Sequence, residues 1–385
     1  MVRTIGRSSL ARKSMRLMRR ASDAASKLSS VTVHHEKPTA VQMGAASVAG
    51  RKRSVVAKVS QGLIVGNEDR VEIDSEHGLA AVFDGHGGSL CADFLARHAL
   101  ERLREALDDR GLLEALRAQH PGMGADSSRD TSASASHHRN HHELTETDLA
   151  GVELGEEEEE SESSEERVHV HNAADLELTE VIEGVHDALK ETCAALESEF
   201  KEICERTGDT SGACAMFTVI YGSVCVIAYC GDCRAVYRNV HLKSHSLIHK
   251  RRHTIQATED HRVTTSSEER IRVLEAGGVI EHGRVAALSP SRTFGDWDIK
   301  NAIGPDIVTA VPQIVIVPVR EPMVMILATD GVWDAMSNKR ALDIVIKNLR
   351  SHPGSFHQSA GLLCKAATHG ASDDASCVVL HIEPK

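Results

Sequence analysis

Three apolar runs in this sequence end on an aspartate beside a glycine: AAVFDGHGG with Asp84, VIAYCGDCRA with Asp232, and VMILATDGVWD with Asp330 and then Asp334. Asp373-Asp374 stand directly before a fourth apolar run, and Glu68-Asp69 lie in VSQGLIVGNEDR. One aspartate in such a place is usually a turn or cap residue. A repeated pattern is harder to explain that way. Strand ends hold side chains rigidly at the rim of a sheet, and a neighbouring glycine lets backbone carbonyls come close to a ligand. Converging carboxylates repel one another unless a cation lies between them. Lysine and arginine are scarce in these segments. Asp, Glu, backbone carbonyl and water are the donors that favour Mg²⁺ or Mn²⁺. A site lined only by oxygen points to metal-assisted hydrolysis, most often at phosphorus.

Other metal and redox chemistry has weaker support. There is no HExxH, and zinc-type spacing is absent apart from Cys230-x-x-Cys233, which brackets Gly231-Asp232 in a tight turn. Coincidence explains that pair more simply than redox use does. His137, His138, His141 and His142 could bind a transition metal, but nothing nearby fixes their geometry and a solvated linker is the simpler reading.

The elements that would position the aspartates are short β-type runs alternating with helical patterns. Residues 79–83 (LAAVF), 324–328 (VMILA) and 377–382 (CVVLHI) read as strands. Residues 89–107 and 176–203 carry apolar side chains at helical spacing. Residues 213–230 form an uncharged run of 18, the crude length of a membrane span. That run is β-branched and aromatic, and Gly222-Ser223 splits it, so a buried hairpin is the better expectation.

The chain has 385 residues, 44 basic and 56 acidic, with a formal net charge of −12. Residues 1–35 hold eight bases and one acid, and residues 151–166 hold nine acids and no base, which leaves −10 for the remainder. An acidic body repels phosphate backbones and argues against nucleic-acid binding. No convincing membrane segment is found. Nine cysteines at irregular spacing do not form a secreted disulfide pattern and suggest a reducing intracellular compartment. Residues 1–52 read as a basic, disordered arm, alternatively a mitochondrial transit peptide, with Arg19-Arg20-Ala21-Ser22 a weak kinase-site pattern. Localisation is expected to be cytoplasmic or nuclear, or mitochondrial if the arm is a transit peptide. Residues 121–174 have almost no large apolar side chains and read as an acidic disordered insertion, in which Ser161, Ser163 and Ser164 could be phosphorylated. Residues 53–385 then make one domain interrupted by that insertion.

The motifs resemble those of the PPM/PP2C family of metal-dependent serine/threonine protein phosphatases, in family order. They are Asn67-Glu68-Asp69-Arg70, Val82 to Gly88 (VFDGHGG), Gly231-Asp232-Cys233-Arg234-Ala235 and Thr258-Glu259-Asp260-His261. Glu269-Arg270-Ile271, Ala276-Gly277-Gly278 and 291–296 (SRTFGD) follow, then 328–334 (ATDGVWD) and Ser372-Asp373-Asp374. The resemblance implies an α+β fold, a four-layer α-β-β-α sandwich of two antiparallel sheets flanked by helices. It implies that Asp84 bridges two Mg²⁺ or Mn²⁺ ions, that Glu68 and the Gly85 carbonyl complete one, and that Asp330 and Asp373 complete the other. Asp232, with Asp330 and Asp334, matches a weaker third-metal site of some members. Water activated between two ions would then attack phosphoserine or phosphothreonine in proteins, with His86 protonating the departing alkoxide. Alternatively, His86 merely hydrogen-bonds a carboxylate. The family default is a monomer acting on phosphorylated proteins, with no nucleic acid or membrane partner.

Several positions depart from the family pattern. Ile64 stands where animal and plant members carry an Arg that grips the substrate phosphate, a role that Arg51, Lys52 or Arg53 could take instead. Asp374 replaces the usual Asn, Ala213-Cys214 replace Ser/Thr-Thr, and Pro290 interrupts Ala-Val-Ser-Arg. The competing expectations are a weak or inactive scaffold that keeps the fold, and a hydrolase of small phosphoesters.

Overall fold

The central strands of this chain are apolar on both faces, and the architecture covers both. The computed structural model describes residues 40–50, 67–119, 173–243, 253–369 and 373–384. Its strands are β1 (Ala40–Val48), β2 (Arg70–Asp74), β3 (Leu79–His86), β4 (Gly212–Tyr221), β5 (Val224–Cys230), β6 (Arg234–Asn239) and β7 (Ile255–Gln256). They continue as β8 (Ile280–Glu281), β9 (Arg284–Val285), β10 (Phe294–Gly295), β11 (Gln313–Pro318), β12 (Met323–Ala328) and β13 (Ala375–Glu383). One sheet runs β1-β13-β12-β6-β7; the other runs β11-β5-β4-β3-β2, with β10 beside β4. Every pairing within these sheets is antiparallel.

The period-2 alternation of side chains sorts the core into three seams. Ala80, Val82, Met216, Ile227, Met325, Leu327, Val378 and Leu380 pack between the two sheets. Ala81, Phe83, Ala215, Phe217 and Ala228 point the other way, against helices Leu90–Asp108 and Ala173–Thr207. Val324, Ile326, Cys377 and Val379 meet helices Asn338–Ser351 and Phe356–Thr368. The result is the expected α-β-β-α sandwich. The uncharged run of 18 is the β4–β5 hairpin, with Tyr221 opposite Val224 across a two-residue turn. Two-sided burial in the middle of the sandwich accounts for its hydropathy. Among the described residues no helix is long and apolar enough to cross a membrane.

Two boundaries differ from the sequence reading. Residues 40–48, read as part of the basic arm, form edge strand β1, paired with β13 from Ala40↔Glu383 to Val48↔Ala375. AVQMGAASV has weak strand propensity, and pairing with β13 together with packing on both faces supplies what propensity lacks. Gly44 lies so close to the backbone of Phe356 and His357 that a side chain there would collide with them. Helix Ala173–Thr207 begins two residues inside the stretch read as insertion. Residues 1–39 and 51–52 of the arm and 121–172 of the insertion lie outside the described residues, and with them Arg51, Lys52, His137, His138, His141, His142, Ser161, Ser163 and Ser164, as do Arg53 and Ile64.

Candidate metal centre

Of the predicted carboxylates, strand register brings Asp84, Asp232 and Asp330 to one place. On β3, Asp84 shares the parity of Ala80 and Val82, so it continues the seam between the sheets past its apolar part. The pairing Arg70↔Phe83 sets Asp69 and Glu68 alongside Asp84 and Gly85. Gly85 packs directly on the Glu68 backbone carbonyl, an approach that a Cβ would forbid. Ala328↔Cys377 aligns the end of β12 with the start of β13, and so Asp330 with Asp373 and Asp374. Asp232 follows β5 after Gly231, whose φ of +109° turns the chain back.

Asp84, Asp232 and Asp330 each offer a carboxylate oxygen, all within 4.8 Å of one another, a geometry that fits a metal site. The Asp330 amide lies 3.4 Å from Asp84 Oδ2. Burial pushes the Asp84 carboxyl well above the usual carboxylate range, and the charges of Asp330, Asp69, Asp232 and Asp373 add to it. Asp330 is pushed up by burial and by Asp232 and Asp373. Mutual repulsion of this kind is what a bound cation relieves. A donor set of carboxylate oxygens suits a hard divalent ion. Asp334 sits at the rim, its side chain 63% exposed.

Several supporting residues carry no role in the sequence reading. Asp374 is buried and accepts from the amides of Gly50 (2.8 Å) and Glu68 (3.0 Å), so this departure from the family pattern fastens the Glu68 backbone. Asp69 accepts from Thr329 Oγ1 at 3.0 Å. The neutral ring of His261 accepts from the Gly231 amide at Nδ1 (3.0 Å) and donates from Nε2 to Gln313 (3.0 Å), fixing the turn that carries Asp232. His86 places Nε2 2.9 Å from both oxygens of Asp296, which is 3% exposed. Burial works against a charged His86, but Asp296 outweighs it and raises the histidine pKa.

The scarcity of basic residues in the strand-end segments does not carry over to three dimensions. Arg262 reaches in from beyond β7, with Nε 2.6 Å from Asp232 Oδ2 and Nη2 2.7 Å from Asp330 Oδ2. Its only sequence signal is a base directly after the Thr258-Glu259-Asp260-His261 motif. Cys230 and Cys233 face different seams as free thiols, Cys230 with its pKa pushed up to about 12 by burial, which agrees with a chance CxxC.

A family model described as "Protein phosphatase 2C" matches residues 154–375. "Probable protein phosphatase 2C 27" of Oryza sativa is 29% identical over 193 residues, 48% of this chain and 51% of that protein. Human "Probable protein phosphatase 1N" is 30% identical over 204 residues, 51% of this chain and 44% of that protein. The chain spans about half the length of the curated relatives it matches. A crystal structure of a serine-threonine phosphatase 2C from Toxoplasma gondii superposes with a TM-score of 0.57 at 17% identity, covering 92% of this chain and 98% of that one, a likeness of fold.

Proposed function

Because the chain belongs to the protein phosphatase 2C family, we propose that it hydrolyses phosphoserine and phosphothreonine in proteins at a divalent-metal centre between its two sheets. The observation that carries this reading is the convergence of Asp84, Asp232 and Asp330 within 4.8 Å at the end of the inter-sheet seam. Glu68, Asp84 and the Gly85 carbonyl would hold one Mg²⁺ or Mn²⁺, and Asp84, Asp330 and Asp373 a second, with Asp232 and Asp334 bordering a third position. Divalent ions in such a setting supply activation of water and neutralisation of charge on the transferring phosphoryl group.

The chain's own residues do the rest. Asp374 fastens the Glu68 backbone and His261 fastens the Asp232 turn, so the donors are organised before any ion arrives. Asp296 engages Nε2 of His86 and favours its protonated form, which leaves Nδ1 as the ring nitrogen to deliver a proton to the departing serine or threonine oxygen. Nine free, buried cysteines suit a reducing intracellular compartment. With Ile64 in the clamp position, a scaffold that binds no metal is the competing reading.

The test is hydrolysis of a phosphothreonine peptide by the full chain with Mn²⁺, abolished by EDTA and restored by added metal. Turnover no greater than that of Asp84→Asn sinks the enzyme reading, and a calorimetric titration without Mn²⁺ binding is the scaffold's signature.

A further inference from the structure

We propose that the Arg262 guanidinium is a resident cation of the Asp232–Asp330–Asp334 carboxylates, and that a divalent ion can take this side of the site only by displacing it. The inference rests on the metal-centre reading above and concerns what competes with the ion.

The fork geometry is the first argument. Nε lies 2.6 Å from Asp232 Oδ2, Nη2 lies 2.7 Å from Asp330 Oδ2, and Nη1 lies 3.6 Å from Asp334 Oδ1. All three nitrogens of one planar group thus face three separate carboxylates, a match that a guanidinium makes and an ammonium does not. The other oxygen of Asp232, Oδ1, accepts from the Cys214 thiol at 3.1 Å. Asp232 is 3% exposed with a hydrogen bond on each oxygen, so a metal ion at Oδ2 would share that oxygen with the positively charged guanidinium unless Arg262 leaves.

Charge balance is the second argument. In the assignment above, Glu68, Asp84, Asp330 and Asp373 match the charge of two divalent ions. On Arg262's side of the site Asp232 and Asp334 remain, with Arg262 already offsetting one of them, whereas Asp69 and Asp374 lie on the Glu68 side, bonded to Thr329 and to the amides of Gly50 and Glu68. A third divalent ion would add more positive charge than the remaining carboxylates balance unless the guanidinium withdrew.

Backbone anchoring is the third. The Arg262 amide donates to the Asp260 carbonyl at 2.7 Å, and its carbonyl accepts from the amides of Thr265 and Ser266. Displacement is therefore a side-chain movement from a fixed root, toward the rim where Asp334 already holds Nη1.

The experiment is calorimetric titration of the full-length chain with Mn²⁺ alone, comparing wild type, Arg262→Ala and Arg262→Gln, each checked by circular dichroism and thermal melting. Gln keeps most of the side chain's bulk and stands in if Ala fails to fold. Removing the competing charge is expected to add a binding equivalent, or to tighten the weakest one about tenfold or more, and Asp232→Asn in the Arg262→Gln background should abolish the gain. Wild-type Mn²⁺ binding that depends on Asp84 but is unchanged by either Arg262 substitution overturns this inference alone. No Mn²⁺ binding by any variant overturns it together with the metal-centre reading.

Discussion

His86 and Asp296 lie 210 positions apart and meet with the imidazole Nε2 2.9 Å from both carboxylate oxygens. Asp296 has a left-handed backbone, φ +53°, and its carboxylate fills the space where a side chain at Gly212 would stand. With His86 as the proton donor of the proposed reaction, Asp296 would act through the histidine that it orients. Asp296→Asn is expected to lower kcat about tenfold to a hundredfold with KM nearly unchanged. In a His86→Asn background the same substitution should cost little, because the two residues act as a unit. Fully additive losses in that double-mutant cycle would separate them.

Buried His261 is the group with a definite pH signature. Burial and the Arg292 guanidinium lower its pKa to about 4 from an ordinary 6.5, and its Nδ1 must stay unprotonated to accept from the Gly231 amide. Between those values the unfolded chain binds a proton that the folded chain refuses. The contribution is therefore complete above pH 6.5, declines as pH falls toward 4 and is flat below, a change on the order of 3 kcal/mol. Urea unfolding of wild type and His261→Gln should show their stability gap narrowing over that window. A gap independent of pH would contradict the assignment.

Glu269 is a hub for the segment bearing Ser291 and Arg292. It is 2% exposed and accepts from Arg292 Nη2 (2.6 Å), Arg272 Nε (3.0 Å) and Ser291 Oγ (2.7 Å). Arg272 in turn donates to the carbonyls of Ser291, Asp306 and Ile307. Burial alone would raise the Glu269 pKa, but Arg292 and Arg272 override it and hold the carboxyl at about 2. Glu269→Gln leaves the partners short of a charge and should cost about 3 kcal/mol at neutral pH. An effect below about 1 kcal/mol by chemical denaturation would show that the network is only decorative.

Legibility in the sequence followed how local each signal was. Asp84, Asp232 and Asp330 were readable because each ends an apolar run beside a glycine, and strand ends in a sandwich have few places to go. The β4–β5 hairpin was readable from Gly222-Ser223. Strand β1 was not, because AVQMGAASV owes its conformation to β13, more than 300 residues away. Arg262 and Asp296 escaped assignment for the same reason: their partners are fixed by folding rather than by neighbours in the chain. Two-residue strands such as β7 and β10 are set by pairing alone and have no period to detect.

Gly331 offers the sharpest test of how closely the two metal-side segments must approach. A Cβ there would fall onto the Asp374 carbonyl oxygen, with the Asp374 carbonyl carbon and Ala375 Cα behind it. These are backbone atoms at the entry to β13, so no rotamer change relieves the overlap. Gly331→Ala must instead push the turn bearing Asp330 away from the segment bearing Asp373. The expected result is a stability loss of about 1–3 kcal/mol together with weakened Mn²⁺ binding, because the two donors proposed for one ion would be moved apart. Gly361 is the matched control: it lies within helix Phe356–Thr368 with nothing near its Cβ position. Gly361→Ala should raise stability by about 0.5–1 kcal/mol and leave the Mn²⁺ isotherm unchanged. If both variants lose stability but neither changes metal binding, the closeness of Gly331 to Asp374 serves packing and has no part in assembling the site.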